Sequence, residues 1–124
     1  MKKCIATPNA PAAVGPYSQG VEAGGFVYVS GQLPMDPATK AMAGDIKACT
    51  ARCLDNCKAV LEAAGSGLAK VVKVTVLMQD LGEFAAMNEV YATYFGSEPP
   101  ARAAFQVAAL PLGAMIEIEM VALA

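Results

Sequence analysis

Between Asp45 and Ala64 the apolar side chains recur at steps of three and four: Ile46, Cys49, Cys53, Leu54, Cys57, Val60 and Leu61 fall on one stripe. Such a stripe marks an amphipathic helix with one buried face, and the glycines at Gly65 and Gly67 end it. From Lys70 to Met78 the step shortens to two. Val72, Val74, Val76 and Met78 share one face, with Val71, Lys73, Thr75 and Leu77 on the other, which is the alternation of a strand covered on one side. A second helix is expected from Gly82 to Phe95. Asp80 and Glu83 make a capping box at its start, Gly96 closes it, and Phe84, Met87, Tyr91 and Phe95 form its stripe. Asn88 interrupts that stripe with a polar group.

Upstream, Pro8, Pro11, Gly15, Pro16, Gly20 and Gly24 punctuate the chain. They leave room for short strands at Lys3–Ala6 and around Ser18–Glu22. Phe26 to Val29 is aromatic and β-branched and reads as a third strand, followed by a turn-rich excursion from Leu33 to Gly44. Two last strands, Ala101–Val107 and Met115–Leu123, are joined by a Pro-Leu-Gly loop. The order βββαβαββ predicts an α+β fold: a single domain over residues 1–124 with one mixed sheet and both helices on the same face. The bare face then needs a cover, which a second subunit packed face to face would supply.

Composition sharpens that expectation. The chain is 56% hydrophobic and only 16% charged, against about 25% charged in ordinary soluble domains. The surplus apolar surface points to contact with another subunit. Membrane insertion does not explain it, because a spanning helix needs about 20 apolar residues and the best run, Ala103–Ile116, is broken by Gln106, Pro111 and Gly113. Lys2 and Lys3 resemble the start of a signal peptide, but only Cys4–Ala6 follow before Thr7, Pro8 and Asn9. The expected compartment is therefore the cytoplasm. A net charge of −2 with scattered bases leaves no footprint for nucleic-acid phosphates. The absence of histidine removes the usual general base and the commonest metal ligand. Proton transfer falls to carboxylates, tyrosine, lysine, cysteine or water.

Cys49, Cys53 and Cys57 stack on the first helix's apolar face. Zinc wants four converging ligands, and these thiols occupy successive turns of one helix, so they read as small core residues. Their Cβ bonds run parallel, which disfavours a disulfide within the helix.

The segment PPARAAFQVAALPLGAMIEIEM, Pro99–Met120, is mostly aliphatic yet keeps Arg102, Glu117 and Glu119. Alternation puts Arg102, Ala104 and Gln106 on one face of their strand, and Glu117 with Glu119 on one face of theirs. If both strands join one sheet, these polar groups are expected to point the same way, into a cleft. Arginine suits a carboxylate ligand because its planar fork gives two parallel charge-assisted hydrogen bonds. A glutamate beside it could hold or activate water. The plainer alternative is a structural ion pair of Arg102 with Glu117 or Glu119.

Three separated segments carry a resemblance. APAAVGPYSQGVEAGGFVYVSGQLPMDP, EFAAMNEVYATYF and the Pro-Ala-Arg and Ile-Glu-Ile elements of the C-terminal segment are similar, in order, to signatures of the Rid family of reactive intermediate deaminases. The family was formerly called L-PSP endoribonucleases or translation inhibitors. The resemblance implies a chorismate-mutase-like fold in a homotrimer with clefts between subunits. It implies hydrolysis of small 2-imino acids to 2-keto acids and ammonia, with no metal or cofactor. It matches Arg102 to the arginine that binds the substrate carboxylate and Glu117 to the glutamate of the attacking water. Tyr17 matches a cleft tyrosine from the neighbouring subunit, Ser30 and Gly31 a strand end whose backbone approaches the ligand, and Asn88 an asparagine near the same site. Where many relatives carry cysteine, serine or threonine, this chain has Ala104. Two rival roles attach to the same resemblance: a ribonuclease, and a non-enzymatic trimer that binds small carboxylates or other proteins.

Overall fold

Strands β1 (Lys3–Ile5), β2 (Gly20–Ala23), β3 (Phe26–Gln32), β4 (Val71–Met78), β5 (Ala101–Gln106) and β6 (Ile116–Leu123) form one sheet, with helices α1 (Ile46–Ala63) and α2 (Phe84–Ala92) between them in sequence. The computed structural model describes residues 1–124. Spatial order is β1-β2-β3-β6-β4-β5. Only β4 and β5 are parallel neighbours, and α2 connects them. β3 and β4 both run antiparallel to the intervening β6, so α1 carries the chain across that strand. The predicted α+β order and mixed sheet are both present.

Local chemistry sets the helix ends. Asp45 caps α1 by accepting a hydrogen bond from the Ala48 amide at 2.8 Å. At the other end Ser66 N–H reaches Leu61 O and Gly65 N–H reaches Glu62 O, a Schellman closure that needs the left-handed conformation Gly65 adopts at φ +81°. α2 differs from its expected span. Asp80 accepts from Gly82 N–H at 2.8 Å, but the element it caps is a tighter 3₁₀ turn, Leu81–Glu83; the α-helix starts only at Phe84, with no side-chain cap from Glu83, and stops at Ala92. Thr93 and Tyr94 bond back only three residues, which winds the end too tightly to continue. Phe95 still stacks on Tyr91, ring centroids 4.9 Å apart.

The core lies between the sheet and the two helices. Val27, Val29, Val74, Val76, Met78, Ile116, Ile118, Met120 and Ala122 all point inward and are buried. They meet Cys53, Leu54, Cys57, Val60 and Leu61 of α1, with Met87 and Tyr91 of α2. Each large aliphatic residue here contributes about 1.5–3 kcal/mol by leaving water. The three helix cysteines are thus core residues, and burial raises their thiol pKa values. Val72 departs from its expected place. Val71 pairs with Ala122 and Lys73 with Val121, so Val72 is the extra residue of a bulge and turns outward, 39% exposed. On the sheet's other face Tyr28 and Phe105 are each 47% exposed, so that face is bare, as the element order predicts. No helix is long and apolar enough to cross a membrane.

Candidate functional site

β5 pairs with β4 so that Arg102 lies beside Val74, Ala104 beside Val76 and Gln106 beside Met78. Because Val74, Val76 and Met78 face the helices, Arg102 faces them too. There its Nη1 donates to Asn88 Oδ1 at 2.7 Å, and its guanidinium carbon lies 4.7 Å from the centroid of the Tyr91 ring and 5.4 Å from that of Phe84. All three partners come from α2. Aromatic faces attract a cation without neutralising it, and the side chain stays half-buried. The structure contains one ion pair, Lys47 with Glu89, so the alternative pairing of Arg102 with Glu117 or Glu119 does not form. A cavity of about 430 Å³ beside the guanidinium is walled by Asn88, Tyr91, Phe95, Pro99 and Pro100.

Glu117 lies elsewhere. It pairs with Leu77, and Glu119 with Thr75, on the bare face of the sheet. The expectation that Arg102 and the two glutamates point into one cleft within the chain is therefore overturned. β4 separates β5 from β6, and Arg102 pairs with an inward residue of β4 where Glu117 pairs with an outward one.

Around Glu117 the backbone does the shaping. β3 pairs Val29 with Met120 but Gln32 with Ile118, so Ser30 and Gly31 carry one residue more than the β6 segment facing them and bulge. A Cβ on Gly31 would stand 2.8 Å from Glu117 Cδ, so only glycine lets the carboxyl group lie against this strand. Burial, with a smaller contribution from Glu119, raises the Glu117 pKa. Tyr17, Ser30, Gly31 and Glu117 line a second cavity of about 340 Å³ with Val14, Leu33 and Pro111. Ser30 contributes as backbone more than as a hydroxyl, since its Oγ already donates to Ser18 O at 2.6 Å.

The predicted site residues therefore fall into two groups: Arg102 with Asn88, and Glu117 with Tyr17, Ser30 and Gly31. Sequence reasoning missed two supports. Gln19, only 6% exposed, bonds to Thr7, Ala10 and Pro11 and fastens the loop that leads to Tyr17. Asn56 donates to Leu33 O and Met35 O and fastens the segment after Gly31. Buried amides in otherwise apolar surroundings were the available signal. Sequence also named Phe84 and Tyr91 as core residues without foreseeing the cation they face.

Residues 7–124 match the sequence profile described as Endoribonuclease L-PSP. A RutC family protein of Pyrococcus horikoshii is 53% identical over 123 residues, covering 98% of each chain. A Salmonella typhimurium protein named 2-iminobutanoate/2-iminopropanoate deaminase is 48% identical over 125 residues, again covering 98% of each. The crystal structure of Escherichia coli TdcF with bound serine superposes with a TM-score of 0.95 at 41% identity and 98% coverage of both chains. The chain belongs to the endoribonuclease L-PSP family, the one its three segments resemble under the name Rid.

Proposed function

We propose that this chain hydrolyses small 2-imino acids to 2-keto acids and ammonia, at sites where the Arg102 half of one copy meets the Glu117 half of a neighbour in a homotrimer. The observation that carries this reading is the state of Arg102. Its guanidinium is oriented by Asn88 and two rings, yet has no carboxylate partner in its own chain. A fork held this way is preorganised for an incoming carboxylate. Relatives of nearly half-identical sequence bear the deaminase name, and the serine of TdcF is itself a small carboxylate. The bare sheet face, apolar and carrying Glu117, supplies the surface for a neighbouring copy.

Arg102 grips the carboxylate and presents the adjacent iminium carbon. Water adds there while Glu117 takes its proton, forming a carbinolamine. Glu117 returns the proton to nitrogen, the C–N bond breaks, the hydroxyl proton passes to the departing ammonia or to solvent, and the oxygen remains as the ketone. The raised pKa of Glu117 suits this exchange, since an acid–base group works best near the ambient pH. Free imines hydrolyse unaided, so positioning supplies most of the gain required.

The test generates the imine in situ with an amino-acid dehydratase and follows keto-acid release. The wild-type protein accelerates release, and Arg102→Ala, still folded, returns it to the spontaneous rate. Undiminished turnover by Arg102→Ala would sink the reading, as would RNA cleavage with no effect on imines.

A further inference from the structure

We infer that the cavity at the N-terminal end of α1 binds a soft monovalent metal ion, Cu(I) or Ag(I), through the sulfurs of Cys49, Met115 and Met42. The cavity holds about 260 Å³ between the Pro34–Gly44 segment, the first turns of α1 and the Leu112–Met115 turn, and all three residues line it. Neither Arg102 nor Glu117 lines this cavity, so the inference stands apart from the proposed hydrolysis.

Distance makes the first argument. Cys49 Sγ and Met115 Sδ are 3.9 Å apart. With metal–sulfur bonds of about 2.3 Å, that separation corresponds to a sulfur–metal–sulfur angle of about 116°, close to trigonal. The two donors thus already stand at the spacing an ion between them requires. Met42 lines the same cavity, and its unbranched, flexible side chain makes its thioether the third donor of the inferred site.

Charge makes the second. A thiolate, a monovalent cation and neutral thioethers sum to zero, the least costly charge state to bury in an apolar wall. A divalent ion would leave net charge buried. Thioether and thiolate donors also favour soft ions over zinc, and no three His, Cys, Asp or Glu side chains converge anywhere in the chain. Binding breaks the Cys49 S–H bond, forms a sulfur–metal bond and releases the proton to solvent. The thiol now donates to Ala43 O at 3.4 Å, a weak bond that gives little resistance.

The experiment uses the full chain carrying Cys4→Ser, because Cys4 is an exposed thiol that would compete. Cu(I), supplied anaerobically as its acetonitrile complex, is titrated against bicinchoninate. The protein should withdraw a single equivalent, and copper-edge X-ray absorption should show two or three sulfurs at about 2.3 Å. Cys49→Ser should abolish the uptake. Met115→Leu, which conserves volume, should weaken it by about tenfold or more, while Cys57→Ser leaves it unchanged. Full affinity in Cys49→Ser, or a copper shell of nitrogen and oxygen, overturns the site. Should Cys49→Ser fail to fold, Met115→Leu and the absorption spectrum decide it.

Discussion

Arg102 and Glu117 are built into the same sheet by opposite means. Arg102 is held by side chains: an amide and two rings, all from one face of α2, fix a cation on the helix side. Glu117 is held by backbone: a bulge in β3 and a missing Cβ at Gly31 leave a slot on the bare side into which its carboxyl group fits. The first arrangement fixes the orientation of a planar fork suited to an anionic ligand. The second desolvates a carboxyl group and so raises its pKa. In the proposed hydrolysis, binding falls to the first and proton transfer to the second, so the two demands would be met on different faces of the sheet.

If the two halves meet only between copies, inactive variants should rescue one another. Arg102→Ala and Glu117→Gln are each expected to lack activity alone. Unfolded together and refolded as a mixture, they should regain about a quarter of wild-type turnover, the chance that an interface combines two intact halves. No recovery in assembled hybrid oligomers would place both groups in one chain's site.

Gly31→Ala probes the backbone half. The side chain displaced is the flexible end of Glu117, so the protein should fold and melt close to wild type. Turnover should nevertheless fall by about tenfold to a hundredfold, because a shift near 1 Å suffices for that loss. Tyr91 probes the other half. Tyr91→Leu removes a cation–π contact worth about 0.5–2 kcal/mol and should raise KM several-fold with little change in kcat. Tyr91→Phe keeps the ring and removes a buried hydroxyl that has no partner, so it should match wild type in KM and equal or exceed it in thermal stability.

The smallest effect is in pH dependence. Glu117 binds its proton more tightly in the folded chain than its ordinary value of 4.5. As pH rises through that value the unfolded chain loses its proton first, so unfolding is favoured until pH passes the raised folded value. Glu117→Gln lacks this loss. Its melting temperature, relative to wild type, should therefore rise as pH climbs above the ordinary value of 4.5 and level off once the raised folded value is passed, and a flat difference would mean that Glu117 is not desolvated.

Much of this was readable from sequence because it rests on period and chain order. The step of three and four gave α1, the step of two gave β4, and the element order gave a sheet with one covered face. Bulges were not readable. Val72 keeps strict alternation as a string of letters, and only pairing with β6 reveals that it is the residue left over. The relation of Arg102 to Glu117 failed for a similar reason: alternation fixes the face within each strand, but which face two strands share depends on register through β4. Gly31 was legible through resemblance alone, since nothing local in its sequence shows a carboxylate approaching from eighty-odd positions away.

The Gln19 amide addresses Thr7 N–H and the carbonyls of Thr7, Ala10 and Pro11, main-chain atoms throughout. A tether of this kind is indifferent to the side chains it fastens. The exposed Pro8 and Asn9 are therefore free to drift in a library of variants, while Gln19 and the buried Ala10 are not, and a screen for tolerated substitutions should find variability at the loop's exposed positions and intolerance at the one amide that holds it.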